Sequence, residues 1–198
     1  MIDNYIEGFS SFFTAQKHTL PWLIPQSLPG IIDEMIAQVN DSYTVKDGIA
    51  IHQTATVERG VVLKAPVIIS ENCFVGANAY LRGGVYLGEG ATVGTSCEVK
   101  TSIIMQNSAV AHFNFIGDSI IGNNVNFEAG SIVANHYNEK KDKQIRVMLH
   151  GEIIDTDVKK FGALVGDNCR IGANAVLSPG TILAKDTIVK RLELVEQV

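Results

Sequence analysis

IHQTAT-VERGVV-LKAPVI-ISENCF-VGANAY-LRGGVY-LGEGAT-VGTSCE-VKTSII-MQNSAV, residues 51–110, is ten hexads laid end to end. Each opens with an aliphatic residue or Met: Ile51, Val57, Leu63, Ile69, Val75, Leu81, Leu87, Val93, Val99, Met105. The fifth place is small or medium-sized throughout: Ala55, Val61, Val67, Cys73, Ala79, Val85, Ala91, Cys97, Ile103, Ala109. Amphipathic helices repeat near 3.6 and strands at 2, so a strict six demands a different geometry. A solenoid meets it: each six makes a short strand and a corner, and three sixes close a triangular coil stacked ~4.8 Å above the last. The opening aliphatic points inward and the fifth residue fits a tight corner. The expected fold is all-β, a left-handed parallel β-helix.

Outward from that run the pattern continues with irregularities. Two five-residue steps, Ala111–Phe115 and Ile116–Ile120, precede sixes at Ile121 and Phe127. After Val133 comes a charged excursion, about 135–162, in which QIRVML-HG-EIIDT alternates around His150-Gly151 as a β-hairpin would. Four sixes from Val165 to Ile188 follow, for about eighteen strands or six coils. The tail VKRLELVEQV reads as a last strand or a short helix.

Residues 1–48 lack the repeat. Ile6, Phe9, Phe12 and Phe13 share one helical face, as do Ile31, Ile32, Met35 and Ile36, with Pro21, Pro25 and Pro29 breaking the segment between them. Two short helices capping the open first coil are expected, because a bare solenoid end exposes core and strand edges. The division is therefore 1–48, an extension or cap, and 49–198, the β-helix.

At 198 residues with a net charge of −5, the chain reads as one domain and not as a general nucleic-acid binder. The three cysteines sit at small inward positions, which suits buried thiols in a reducing compartment. The start has no basic region followed by an apolar core, and no apolar run spans a bilayer, so a cytoplasmic protein is expected, with no membrane partner.

Three features carry possible chemistry. His112 falls where the period breaks, and an eighteen-residue ruler puts Gly94 and Gly76 beneath it, leaving the imidazole open space. Arg82 and Lys100 are eighteen apart and should stack, an arrangement that calls for an anion or acid between them. Asn124, Asn126 and Asn135 crowd one turn of chain, although asparagine ladders are also ordinary structure in a β-helix.

The stretch AHFNFIGDSIIGNNVNFEAGSIVANH, with LRGG at 81–84 and Glu98-Val99-Lys100 upstream, resembles the acetyltransferase domain of the bifunctional UDP-N-acetylglucosamine pyrophosphorylase/glucosamine-1-phosphate acetyltransferases, within the LpxA-like transferases. The later RVMLHGEIIDTDVKKFGALVGDNCRIGANAVLSPG is similar to archaeal relatives with a comparable excursion. The resemblance covers about 75–185 and includes nothing of a pyrophosphorylase domain, so acyl transfer alone is implied. It implies an acetyl-CoA-dependent N- or O-acyltransferase that needs no metal, acting on an amino-sugar phosphate or nucleotide sugar as a homotrimer.

By the same resemblance, His112 is the general base that deprotonates the attacking amine or hydroxyl. Glu98 orients it. Arg82 and Lys100 bind phosphate, and Asn114, Phe115, Asn126 and Asn135 contact the acceptor. The main chain at Ala129 and Ala173 lines the coenzyme groove, with Lys160 nearby. Phe74, Tyr80 and Tyr86 would be buried between copies of the chain. Departures from the motif are Phe115 and His136 at tyrosine positions, Gly83 for proline and Glu128 for glycine, which leave the acceptor sugar open. Two other readings stand beside this one. A zinc carbonic anhydrase-like protein needs three converging histidines with a closely spaced pair, and no H-x4-H occurs. A non-catalytic assembly or ligand-binding solenoid would have no use for Glu98, Lys100 and His112 together.

Overall fold

In the computed structural model, which describes residues 1–198, the hexads form a parallel β-helix with seven rungs on each of three faces, one coil more than expected. The first face runs Ile49–His52, Val67–Ile69, 85–87, 102–104, Ile120–Ile121, Ala163–Val165, Thr181–Leu183. The second runs from Thr56–Val57 to Ile188–Val189, and the third from Val62–Leu63 to Leu194–Val195, so the tail is a strand. The inward residues form one cluster of 27 buried hydrophobics along the axis. Each fully buried aliphatic stabilises by roughly 1.5–3 kcal/mol, which is why the six is kept so strictly.

Of the two five-residue steps, the second falls where expected and the first does not. Leu81 pairs with Val99 at a spacing of eighteen, but Leu87 pairs with Ile104 at seventeen. The first short step is therefore 99–103, and the second is 116–120. Ile104 and Val110, not Met105 and Ala111, point inward. The reason lies at the third corner, between the third and first faces. There Gly83 and Gly84 both take positive φ, 72° and 88°, whereas the next two coils turn on one such residue each, Thr101 and Asp118. Gly84 is the extra corner residue, and a Cβ on it would meet Pro29 at about 3 Å, so its lack of a side chain admits a helix.

That helix, α1 (Ile24–Ile36), does not sit over the end of the solenoid. It lies along the first face with the 1–23 segment, and Ile6, Phe9, Phe13, Trp22, Leu28 and Ile32 pack on Ala50, Ile68, Tyr86 and Ile103. The prolines do not break it: Pro25 lies in its first turn, where no N–H partner is lost, and Pro29 is accommodated inside. Asp167 clips the segment down, its N–H donating to the Tyr5 carbonyl and its carboxylate accepting from the Glu7 N–H. The open edge of the first coil is closed by β1 (Tyr43–Lys46), antiparallel to Ile49–His52 through an Asp47-Gly48 turn with both φ positive.

The excursion carries the hairpin expected, Arg146–Leu149 against Glu152–Asp155. It does not simply project. Ile145, Val147, Val158 and Phe161 join the cluster on the first face, and the Tyr137 hydroxyl donates to the Pro179 carbonyl. The first face is thus covered by this chain's own segments, and the second and third faces carry none of them. Tyr86 is buried under Phe13 and is not available to a second copy, unlike Phe74 and Tyr80. No helix is long and apolar enough to cross a membrane.

Candidate functional site

The second corner, between the second and third faces, stacks one column of residues. Strand register gives it as Ala77, Thr95, His112, Ala129, Ala173, Arg191. Because the coil shortens by one, His112 stands over Thr95 and not over Gly94, as the eighteen-residue ruler implies. The glycine still matters. A Cβ on Gly94 would overlap the Ala111 carbonyl and lie 3.1 Å from His112 Nδ1, so the missing side chain makes room for the 111–112 backbone and lets the imidazole lie alongside. His112 is exposed, its side chain makes no hydrogen bond, and its carbonyl accepts the Gly130 N–H. Phe113 beside it is 66% exposed and held at φ 56°, in a corner column that also holds Gly60, Asn78, Ser96, Gly130, Asn174 and Leu192, all at positive φ.

Further along this edge the second face opens into a groove of about 470 Å³ lined by Asn126, Glu128, Arg170, Lys190 and Arg191 among others. Asn126 is exposed there, in register with Arg170. Glu128 accepts both Arg191 Nε and a terminal Arg191 nitrogen at 2.8 and 2.7 Å, and also the Ala173 N–H at 2.8 Å. Those bonds, the Arg191 pair foremost, hold the Glu128 carboxyl below its ordinary pKa and raise that of Arg191. The Ala173 N–H assigned to a coenzyme is therefore engaged by a side chain of this protein.

The second group of residues lies across the third face. Arg82 and Lys100 are register partners, as the spacing requires. Their charges are answered within the chain. Glu98 Oε1 takes Arg82 Nε at 2.7 Å and a second guanidinium nitrogen at 2.6 Å, and Asp118 Oδ2 takes Lys100 Nζ at 2.6 Å. The carboxylate assigned to orient His112 is thus turned to Arg82, and no hydrogen bond joins Glu98 to the imidazole. Asp118, absent from the sequence reading, is the hub: the buried Asn135 donates its Nδ2 to the same oxygen, and His136 Nδ1 meets Asn135 Oδ1 at 3.1 Å. The signal for it was the short step, which leaves Asp118 alone on the corner. Lys160 is exposed beside this group, since the Phe161 N–H donates to the Asn135 carbonyl.

Two residues assigned to an acceptor stand apart. Asn114 is 2% exposed, donates to the His112 carbonyl and accepts the Ser131 N–H, so it builds the corner and faces no ligand. Phe115 is half-buried on the third face between Glu98 and Ile132. The chain has no cluster of three or more His, Cys, Asp or Glu side chains able to hold a metal ion.

A sequence profile for the hexapeptide repeat of succinyl-transferase matches residues 66–96 and 162–190. Over 79 residues, 39% of this chain and 19% of the relative, the protein is 37% identical to a bifunctional sugar-1-phosphate nucleotidylyltransferase/acetyltransferase from Sulfurisphaera tokodaii. It is 36% identical over 87 residues, 44% of this chain and 20% of the relative, to the bifunctional protein GlmU of Methanococcus vannielii. The chain thus spans about a fifth of the length of the curated relatives it matches. Among solved structures, a hexapeptide transferase family protein from Anaplasma phagocytophilum aligns over 75% of this chain and 74% of its own, at 21% identity and a TM-score of 0.43. A perosamine N-acetyltransferase from Caulobacter crescentus, in complex with CoA and GDP-perosamine, aligns over 70% and 49% at 17% identity and a TM-score of 0.32. The chain carries the hexapeptide repeat at residues 66–96 and 162–190, and over its matched stretch it is similar to bifunctional sugar-1-phosphate nucleotidylyltransferase/acetyltransferases.

Proposed function

We propose that this protein is an acyl-CoA-dependent acyltransferase, with acetyl-CoA the first candidate donor, acting on an amine or hydroxyl of a sugar phosphate or nucleotide-linked sugar. The observation that carries the reading is the second-corner column, in which an uncommitted imidazole, two alanine corners and a cationic groove follow one another along one edge. Arg170, Lys190 and Arg191 suit the phosphates of a coenzyme laid along that edge. The residues fit such a ligand at the groove once Glu128 gives way at the Ala173 N–H.

In the reaction, the acceptor nitrogen or oxygen attacks the thioester carbonyl, His112 takes the proton of the attacking group, and the coenzyme leaves as its thiol after protonation. Glu98 serves the acceptor side through Arg82 and not through His112. Arg82 and Lys100 would meet the acceptor phosphate once it competes with their carboxylates. These two residues and His112 flank the third face within one chain. A homotrimer, with each site completed by the next copy, is therefore part of the proposal, and the second and third faces are the ones free to form it.

A thiol-release assay over amino-sugar phosphates and nucleotide sugars with several acyl-CoAs tests the reading, with His112→Ala as the control. Turnover by the parent and none by a folded His112→Ala variant supports it. Unchanged turnover in the variant removes His112 from the reaction, and no thiol release with any acceptor removes the activity.

A further inference from the structure

Glu128 spans three successive coils. It stands in register with Gly172 on the next coil, yet its carboxylate reaches Arg191 on the coil beyond, closing over the Ala173 N–H between them. It is the only acid among the residues that line the groove, against Arg170, Lys190 and Arg191. Neither Arg170 nor Lys190 has an acidic partner, so Arg191 alone is neutralised. Arg191 and the Ala173 N–H together form a site for an anionic oxygen, and Glu128 supplies one from inside the protein. The pair is exposed, with Arg191 at 71% and Glu128 at 36%, so a ligand can displace the carboxylate into water.

We propose that Glu128 is a resident competitor for an anionic ligand, occupying Arg191 and the Ala173 N–H until a phosphate-bearing molecule enters the groove. Its consequence is a specificity rule: the groove holds weakly any ligand that cannot replace both contacts. That the ligand is an acyl-CoA rests on the proposed function; the competition itself does not.

Calorimetric titration of the full chain with CoA and, separately, with inorganic pyrophosphate tests this. Glu128→Gln keeps an acceptor for the Ala173 N–H but removes the charge, and Glu128→Ala removes both. Each variant is expected to bind the probe about two- to fivefold more tightly than the parent, the range set by an exposed ion pair. Adding Arg191→Gln to Glu128→Gln should abolish the gain. Equal affinity of parent and both variants for both probes overturns the proposal. Tighter pyrophosphate binding with no CoA binding by any form upholds the competition and overturns the acyl-CoA reading instead. Equal CoA binding throughout, with no gain for pyrophosphate, does the reverse.

Discussion

Lys100 and Asp118 form a largely buried ion pair across one coil step, Nζ to Oδ2 2.6 Å, with side chains 16% and 8% exposed. One step earlier, the Arg82–Glu98 pair joins the same column at 37% and 33% exposure. Like cations can be stacked here because each has its own acid, so the anion inferred from spacing alone is intramolecular. The two pairs should answer differently to substitution. Asp118→Asn leaves a desolvated ammonium without its counter-charge and is expected to cost about 3 kcal/mol, whereas Arg82→Gln should cost less than about 1 kcal/mol. Urea denaturation of both variants measures the difference, and equal losses would remove the distinction by burial.

Gly94 tests the corner that carries His112. Any Cβ there would sit 2.0 Å from a main-chain oxygen, and backbone, unlike a side-chain tip, cannot swing aside. Gly94→Ala is expected to destabilise by more than about 3 kcal/mol or to displace the 111–114 corner. Gly8→Ala, with open space at its Cβ but φ 74°, should cost roughly 1 kcal/mol. Thermal unfolding of the pair separates close packing from backbone strain alone.

The repeat made the solenoid legible because one inward aliphatic every six residues is a constraint that the core imposes on each rung. It did not show where the five-residue steps fall. Ile103, Ile104 and Met105 are all apolar and all buried, Ile104 against the axis and the other two under the N-terminal segment, so periodicity could not choose among them. The covered first face was hidden for the same reason: Ile68, Ile103 and Ile120 look like repeat noise until something packs on them. Lys46-Asp47-Gly48-Ile49 did carry a hairpin signal that a search for sixes passes over. At the site, spacing located the Arg82–Lys100 stack, but pairing of acids to cations depends on side-chain reach, which no ruler of residues contains.

Cys73 makes the core sensitive to alkali. Burial pushes its thiol up to about 11, against an ordinary value near 9. In the unfolded chain the thiol ionises near its ordinary pKa, so above it the unfolded state has shed a proton that the folded state still holds. Stability from this group is therefore complete below about pH 9 and falls as pH rises toward about 11, by about 2–3 kcal/mol across that window. Tyr86 and the other two thiols are raised by burial as well and add slope in the same direction. Cys73→Ala should flatten the alkaline limb of the stability profile by the share that belongs to Cys73, at the cost of the small volume lost. Urea midpoints at pH 8 and pH 10.5 for parent and variant measure it: the parent should lose more stability than the variant between the two. A thiol reagent at pH 8 should label Cys73 only at the rate of unfolding, since the thiolate is scarce and the residue is 2% exposed. Identical pH slopes in the two proteins would mean that Cys73 gains solvent before the coil opens.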